Sequence, residues 1–186
     1  MPKTYNSIPS VSTGDVYTAT AHNNIVTNVN NYRVPPACIA RRTTNVTSYT
    51  AGNAIAWESV LLDTESPSDP MWASGANASR ITIRTAGIYQ VSFIGYMTCT
   101  ATATAVQPRV LLNGAVSPSL DAAFTAVNGG TAATWFVSGL MSLAATDYLE
   151  AAVGMTGGSA YVIYGSATSQ NFAQTRLCVA WLGQVS

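Results

Sequence analysis

The chain reads as an all-β protein: an antiparallel sandwich of about nine or ten strands, preceded by an N-terminal arm with a short helix. Three observations predict this. Beyond residue 36 the sequence is a series of short β-rich runs separated by Gly, Asn, Asp, Ser and Pro clusters, with no helical stretch between them. Within it, Ile81 and Ile83 alternate with Arg80, Thr82 and Arg84, the period-two pattern of a strand with one wet face. Before it, residues 1–36 are rich in Asn, Thr and Ser and contain the only histidine, so the composition changes at Pro35-Pro36.

The arm comes first. Thr18 is placed to cap a helix whose stripe is Ala21, Ile25, Val29 and Tyr32. That stripe is thin, and Asn23, Asn24, Asn28, Asn30 and Asn31 are poor helix-interior residues, so the helix needs a surface to pack on. Pro35-Pro36 ends it. Val16, Ile25, Val29 and Tyr32 are the candidate anchoring residues of the arm.

The predicted strands are 37–43, 55–62, 80–84, 88–99, 106–112, 132–143, 148–153, 160–164 and 175–182. Asn113-Gly114 and Asn128-Gly129 mark tight turns, because both residue types accept positive φ. Pro108 has no N–H for a ladder, which predicts an edge or a bulge. Thr98, Thr100, Thr102 and Thr104 read as a strand running into a loop.

Two strands depart from the usual wet-face pattern. From Ile88 to Met97 one face carries Tyr89, Val91, Phe93 and Met97, and the other Ile88, Gln90, Ser92, Ile94 and Tyr96, with no charge on either. The last strand repeats this, with Leu177, Val179 and Trp181 against Cys178, Ala180 and Leu182. Side by side they form an apolar patch larger than a typical monomer exposes. Ile88, Gln90, Ile94, Tyr96, Cys178, Ala180 and Leu182 are therefore the candidate interface, covered by another copy of the chain.

The bulk composition agrees. Only 9% of the 186 residues are charged, against roughly a quarter in average soluble domains. No run is long enough to span a bilayer, so no membrane insertion is expected. Residues 1–10 lack the apolar core of a secretory signal, which also makes the Asn45-Val46-Thr47 and Asn77-Ala78-Ser79 glycosylation patterns accidental. Net charge is zero and only Arg41-Arg42 are adjacent, so no basic footprint for nucleic acid exists. Cys38, Cys99 and Cys178 fit no metal or redox spacing and are expected to be buried thiols.

The ordered set Ala37-Cys38-Ile39-Ala40, Gly87-Ile88-Tyr89, Leu111-Leu112-Asn113-Gly114, Ser138-Gly139 into Leu143, Thr146-Asp147-Tyr148-Leu149 and Trp181-Leu182-Gly183 resembles the jelly-roll head of the complement-recognition and tumour-necrosis-factor families over residues 37–186. Val91 replaces the family's usual aromatic, and Trp181-Leu182-Gly183 its usual Phe-Ser-Gly. The resemblance implies a homotrimer whose first, last and Gly-x-Tyr strands face the threefold axis. Gly14-Asp15-Val16, Thr18-Ala19 and Asn23-Asn24 are similar to the opening of short tailed-bacteriophage virion proteins. The stretch from Leu62-Asp63-Thr64-Glu65 through Met71-Trp72 to the strands between Ile81 and Tyr89 resembles the phage form of this jelly roll. Together they imply a virion-surface knob, assembled in the host cytoplasm. Its arm would join capsid, tail or fibre proteins, and its surface would decorate the particle or bind a host glycan or protein. A lectin-like trimeric module of cellular origin is the alternative.

Catalytic and cofactor chemistry are not expected. The single His22 has no nucleophile placed with it. Asp63, Glu65 and Asp69 could in principle pair as a glycosidase acid and base or hold calcium, but their spacing is not that of a calcium loop. Asp147 is expected to cap a turn. Trp57, Tyr89, Phe93, Trp135 and Trp181 are assigned to core or interface, whereas Trp72, Tyr161 and Tyr164, in or beside loops, are candidate ligand-stacking rings.

Overall fold

The computed structural model describes residues 18–99, 103–121, 124–127, 132–157, 161–165 and 174–184. Val16, Thr100, Thr102, the Asn128-Gly129 turn and the side chain of Tyr32 lie outside the described set. Among the described residues one helix, α1 (Ala19–Arg33), precedes twelve strands: β1 (Ala37–Arg41), β2 (Val46–Tyr49), β3 (Ser59–Asp63), β4 (Ile81–Thr82), β5 (Gly87–Thr98), β6 (Ala103–Leu112), β7 (Ala115–Asp121), β8 (Phe124–Val127), β9 (Ala132–Leu143), β10 (Tyr148–Gly157), β11 (Tyr161–Ile163) and β12 (Arg176–Gly183). They form an antiparallel jelly-roll sandwich. One sheet runs β2-β11-β5-β12-β1-β3, with β9 on the other side of β5; the second runs β4-β10-β6-β7, with β8 beside β6.

The helix begins where the sequence places it, with Thr18 Oγ1 accepting from the Ala21 N–H at 3.2 Å. It ends at Arg33, before the two prolines. The chain is then tied into the sandwich. Pro36 O accepts from Trp181 N–H, and the Thr64 hydroxyl donates to Pro35 O while accepting from Ala37 N–H.

The core lies between the sheets. Tyr89, Val91, Phe93 and Met97 of β5 are buried there with Leu177, Val179 and Trp181 of β12 and Trp135, Val137 and Met141 of β9. Ile81, Ile83 and Trp57 join them, as the alternation predicts. Two glycines of β5 make room for indoles. A Cβ at Gly95 would overlap the Trp135 ring, and one at Gly87, whose φ is +156°, would overlap the Trp181 indole and the Gly183 carbonyl.

Four sequence expectations change. First, the predicted strand 55–62 is divided between the two sheets. Ile55 N–H bonds Ala151 O and Ala54 bridges Ala152 of β10, whereas β3 pairs with β1. Second, the Pro108 strand is interior rather than an edge, and of the two alternatives it is the bulge that fits, the register against β7 shifting between Arg109 and Leu111. It pairs with β10 throughout, and Pro108 falls where its opposite partner changes from β8 to β7, so the missing N–H breaks no ladder. Third, β2, β7 and β8 were not predicted, being short runs that owe their extension to neighbours. Fourth, Cys38 and Cys99 are buried but Cys178 is only half-buried, on the outer face of its sheet. The Asn113-Gly114 turn forms as expected, with φ of 51° and 82°.

The chain crosses between sheets at Glu58. Its carboxylate accepts from Thr43 N–H (2.7 Å), Thr44 N–H (2.7 Å) and both threonine hydroxyls, and pairs with Arg42 at 2.7 Å. Partial desolvation acts to raise its pKa, but the threonine hydrogen bonds outweigh it and hold the carboxyl at about 2. A folded-state pKa below the unfolded value of 4.5 stabilises the fold above that pH, and the contribution is lost as pH falls through about 2. Glu58→Gln should therefore lower the neutral-pH melting temperature and flatten its decline between pH 4.5 and 2. Melting curves of both proteins across this range check the result.

Candidate functional site: the outer face of the β9-β5-β12-β1-β3 sheet

Alternation along each strand sends one set of side chains inward and leaves the other outside. Register then lines up the outer sets. Ile39, Cys178, Ser92 and Ser138 form one row across β1, β12, β5 and β9. Ala37, Ala180, Gln90 and Leu140 form the next, and Arg41, Arg176, Ile94 and Phe136 a third. At the β3 edge a bulge sets Leu62 opposite Ile39 and Val60 opposite Ala40, leaving Leu61 as the extra residue.

All seven candidate interface residues sit on this outer face. Ile88, Gln90, Ile94, Tyr96 and Cys178 are half-buried, and Ala180 and Leu182 are exposed. The face also carries residues that the sequence reading missed. Phe136 and Leu140 of β9 are 59% and 58% exposed, and Leu61 and Leu62 of β3 are also exposed. The signal was available: β9 has apolar residues on both faces, like β5 and β12. The polar groups within the face are largely engaged, Gln90 donating to Ser138 Oγ at 2.6 Å and Ser138 Oγ to Val91 O at 3.2 Å. The only charges in the rows are Arg41 and Arg176 at one border. Burial pushes the Cys178 thiol up, while Arg176 and a hydrogen bond with Ser92 pull the other way.

The remaining candidates are placed differently. Trp72 is a correction: it is 9% exposed, its indole N–H donates to Ala78 O at 2.9 Å, and its ring belongs to the core rather than to a ligand. Tyr161 and Tyr164 are half-buried. Tyr164 stands edge-on to Tyr96 with ring centroids 4.9 Å apart, so its ring lies beside the outer face and not in a separate binding loop. On α1, Ile25 is half-buried and Val29 is 52% exposed, and the helix rests on no strand beyond marginal contact among the described residues. His22 is exposed on the same helix.

The carboxylate cluster is used structurally. Asp63 accepts from Glu65 and Trp72 N–H, the buried Glu65 accepts from the Thr85 hydroxyl, and Asp69 pairs with Arg84 at 3.1 Å. Asp147 caps its turn, accepting from Ala144 N–H at 2.8 Å and from the Asn113 amide. Among the described residues no three His, Cys, Asp or Glu converge as metal ligands, and no helix is long and apolar enough to cross a membrane.

No protein-family profile matches the chain, and no curated protein sequence matches it. Solved structures do. The structure of Eiger TNF from S. frugiperda superposes with a TM-score of 0.56 at 14% identity, over 81% of this chain and 96% of that one. The globular domain of zebrafish complement 1qA protein superposes with a TM-score of 0.49 at 9% identity, over 81% of this chain and 99% of that one. At 14% identity the likeness to the first of these is one of fold alone, a jelly roll.

Proposed function

We propose that the chain is a non-enzymatic structural protein of a tailed-phage virion, a homotrimeric surface knob that decorates the particle and presents a surface to the host. The observation that carries the trimer is the outer face of the β9-β5-β12-β1-β3 sheet. On its β9, β5 and β12 strands Phe136, Leu140, Ala180 and Leu182 are exposed and Ile88 and Ile94 are half-buried. Burying such a face between three copies removes it from water, and a permanent interface of this kind occludes roughly 2,000 Å² or more. The particle assignment rests on the sequence resemblances at residues 14–24 and 62–89 and on the arm, residues 1–36, which precedes the head at residues 37–186. An Asn-rich helix with exposed Val26 and Val29 is marginal by itself and is stabilised by docking on another protein.

Deleting residues 1–33 tests the arm and leaves the Pro35 and Pro36 carbonyls to bond the sandwich. The shortened chain should keep its trimer mass and β circular dichroism yet fail to join particles during assembly. Continued incorporation would refute the anchoring role. A trimer that joins no particle either before or after the deletion would favour the lectin-like module.

A further inference from the structure

A second site lies away from the apolar face. The hairpin formed by β2, the turn at residues 50–53 and the extended segment 53–56 bridges the two sheets, because β2 belongs to one and segment 53–56 bonds β10 of the other. Between its arms is an open cleft of about 520 Å³, within the ~300–1,000 Å³ range of small-molecule sites. Its walls are held by hydrogen bonds. The Tyr49 hydroxyl donates to Asn53 O and accepts from Val153 N–H at 2.9 Å, while Gly165 N–H donates to Asn45 Oδ1 at 3.1 Å.

The lining decides the ligand chemistry. Thr47, Ser48, Thr50 and Asn53 line the cleft, are exposed, and have no side-chain hydrogen bond to the described protein. They supply hydroxyl and amide groups that both donate and accept. β2 is paired with β11 alone, which leaves its second backbone edge unpaired among the described residues. Ala54, Ala56 and Val46 add apolar patches. The single charge among the described lining residues is neutralised: the Arg42 guanidinium donates to Thr44 O, Ala56 O and Thr44 Oγ1 and pairs with Glu58 at 2.7 Å. An anionic ligand would therefore have to displace Glu58 from a carboxylate site that already holds five partners.

We propose that this cleft binds a neutral saccharide. Sugar hydroxyls are donors and acceptors at once, and so match mixed hydroxyl, amide and backbone groups, while the C–H faces of the rings rest on Ala54 and Ala56. The cleft is open to water, so the net gain per hydrogen bond is small and a single site is weak. This deepens the surface-binding part of the reading above, but the cleft is built within one chain and needs no second copy.

The test titrates the full chain with uncharged tetrasaccharides of glucose, galactose, mannose and N-acetylglucosamine, with a sialylated oligosaccharide and a Ser/Thr-rich decapeptide as comparators. Saturation-transfer NMR detects binding and calorimetry measures it. At least one neutral sugar should bind, and Thr47→Val or Asn53→Leu should each weaken it about 5- to 10-fold, the worth of one hydrogen bond. Both side chains are exposed, so the variants should keep the wild-type melting temperature. No binding of any neutral sugar at ~10 mM, ten times a millimolar Kd, overturns the proposal. So does preference for the sialylated sugar or the peptide, or unchanged affinity in both variants. Light scattering on the same samples separates the two readings: a monomer that binds sugar refutes the trimer alone, and a trimer that binds none refutes the cleft alone.

Discussion

Leu140→Glu should convert a trimer of this chain into folded monomers. In the single chain Leu140 is 58% exposed, and a surface substitution of that kind costs within about 0.5 kcal/mol. Its register partner is Gln90, followed along the row by Ala180 and Ala37, with no cation in the row. If three copies bury this face, the same change places three unpaired carboxylates in an apolar interface, at a cost of several kcal/mol for each ion. Light scattering at dilute concentration should show the mass fall from three chains to one while far-ultraviolet circular dichroism holds. Ala180→Glu, two strands away on the same row, should do the same. A trimer unaffected by both substitutions would show that this face is not where the copies meet. A wild-type chain that is monomeric from the start would remove the main physical support for the knob.

Gly87→Ala should destabilise the sandwich strongly, for two separate reasons. The new Cβ would overlap the Trp181 indole and the Gly183 carbonyl, and the φ of +156° is one that L-residues rarely adopt. Overpacking of a filled core costs about 1–3 kcal/mol, and a disfavoured backbone angle about 1–3 kcal/mol more. For a chain of this size each kcal/mol lowers the melting temperature by about 2–4 °C, so a loss of roughly 10 °C is expected. The collision falls where β5, β9 and β12 meet, since Gly87 is opposite Leu143 while Ile88 faces Gly183. Gly183→Ala is the control: a Cβ there meets nothing within 4 Å and should shift the transition little. Equal melting temperatures for the two variants would mean that the indole has room to move.

Much of the fold was legible because its signals are local. Thr18 caps the helix whose end Pro35-Pro36 enforces, and the period-two runs of β5 and β12 assign each side chain to a face. The Asn113-Gly114 hairpin follows from two residues that accept positive φ. Where prediction missed, the cause was a partner strand. The run 55–62 has one continuous β pattern, yet Glu58 is held by Thr43 and Thr44, so the chain changes sheets midway. Trp72 lies in a loop by sequence, but its indole finds Ala78 O and the core. Phe136 and Leu140 sit in a correctly predicted strand, and became part of the site only when β9 paired with β5.

The sequence by itself determined the all-β class, the Thr18 cap and the end of the helix before Pro35-Pro36, and the two apolar faces of the β5 and β12 strands, because capping and side-chain alternation are local properties of the chain. Only the tertiary structure decided which of those faces became core, how far the uncovered one extends to β9 and β3, and that a neutral polar cleft opens beside β2. Those outcomes depend on register and on the hydrogen-bond partners of Arg42 and Glu58, which join residues far apart along the chain and leave no periodic trace in it.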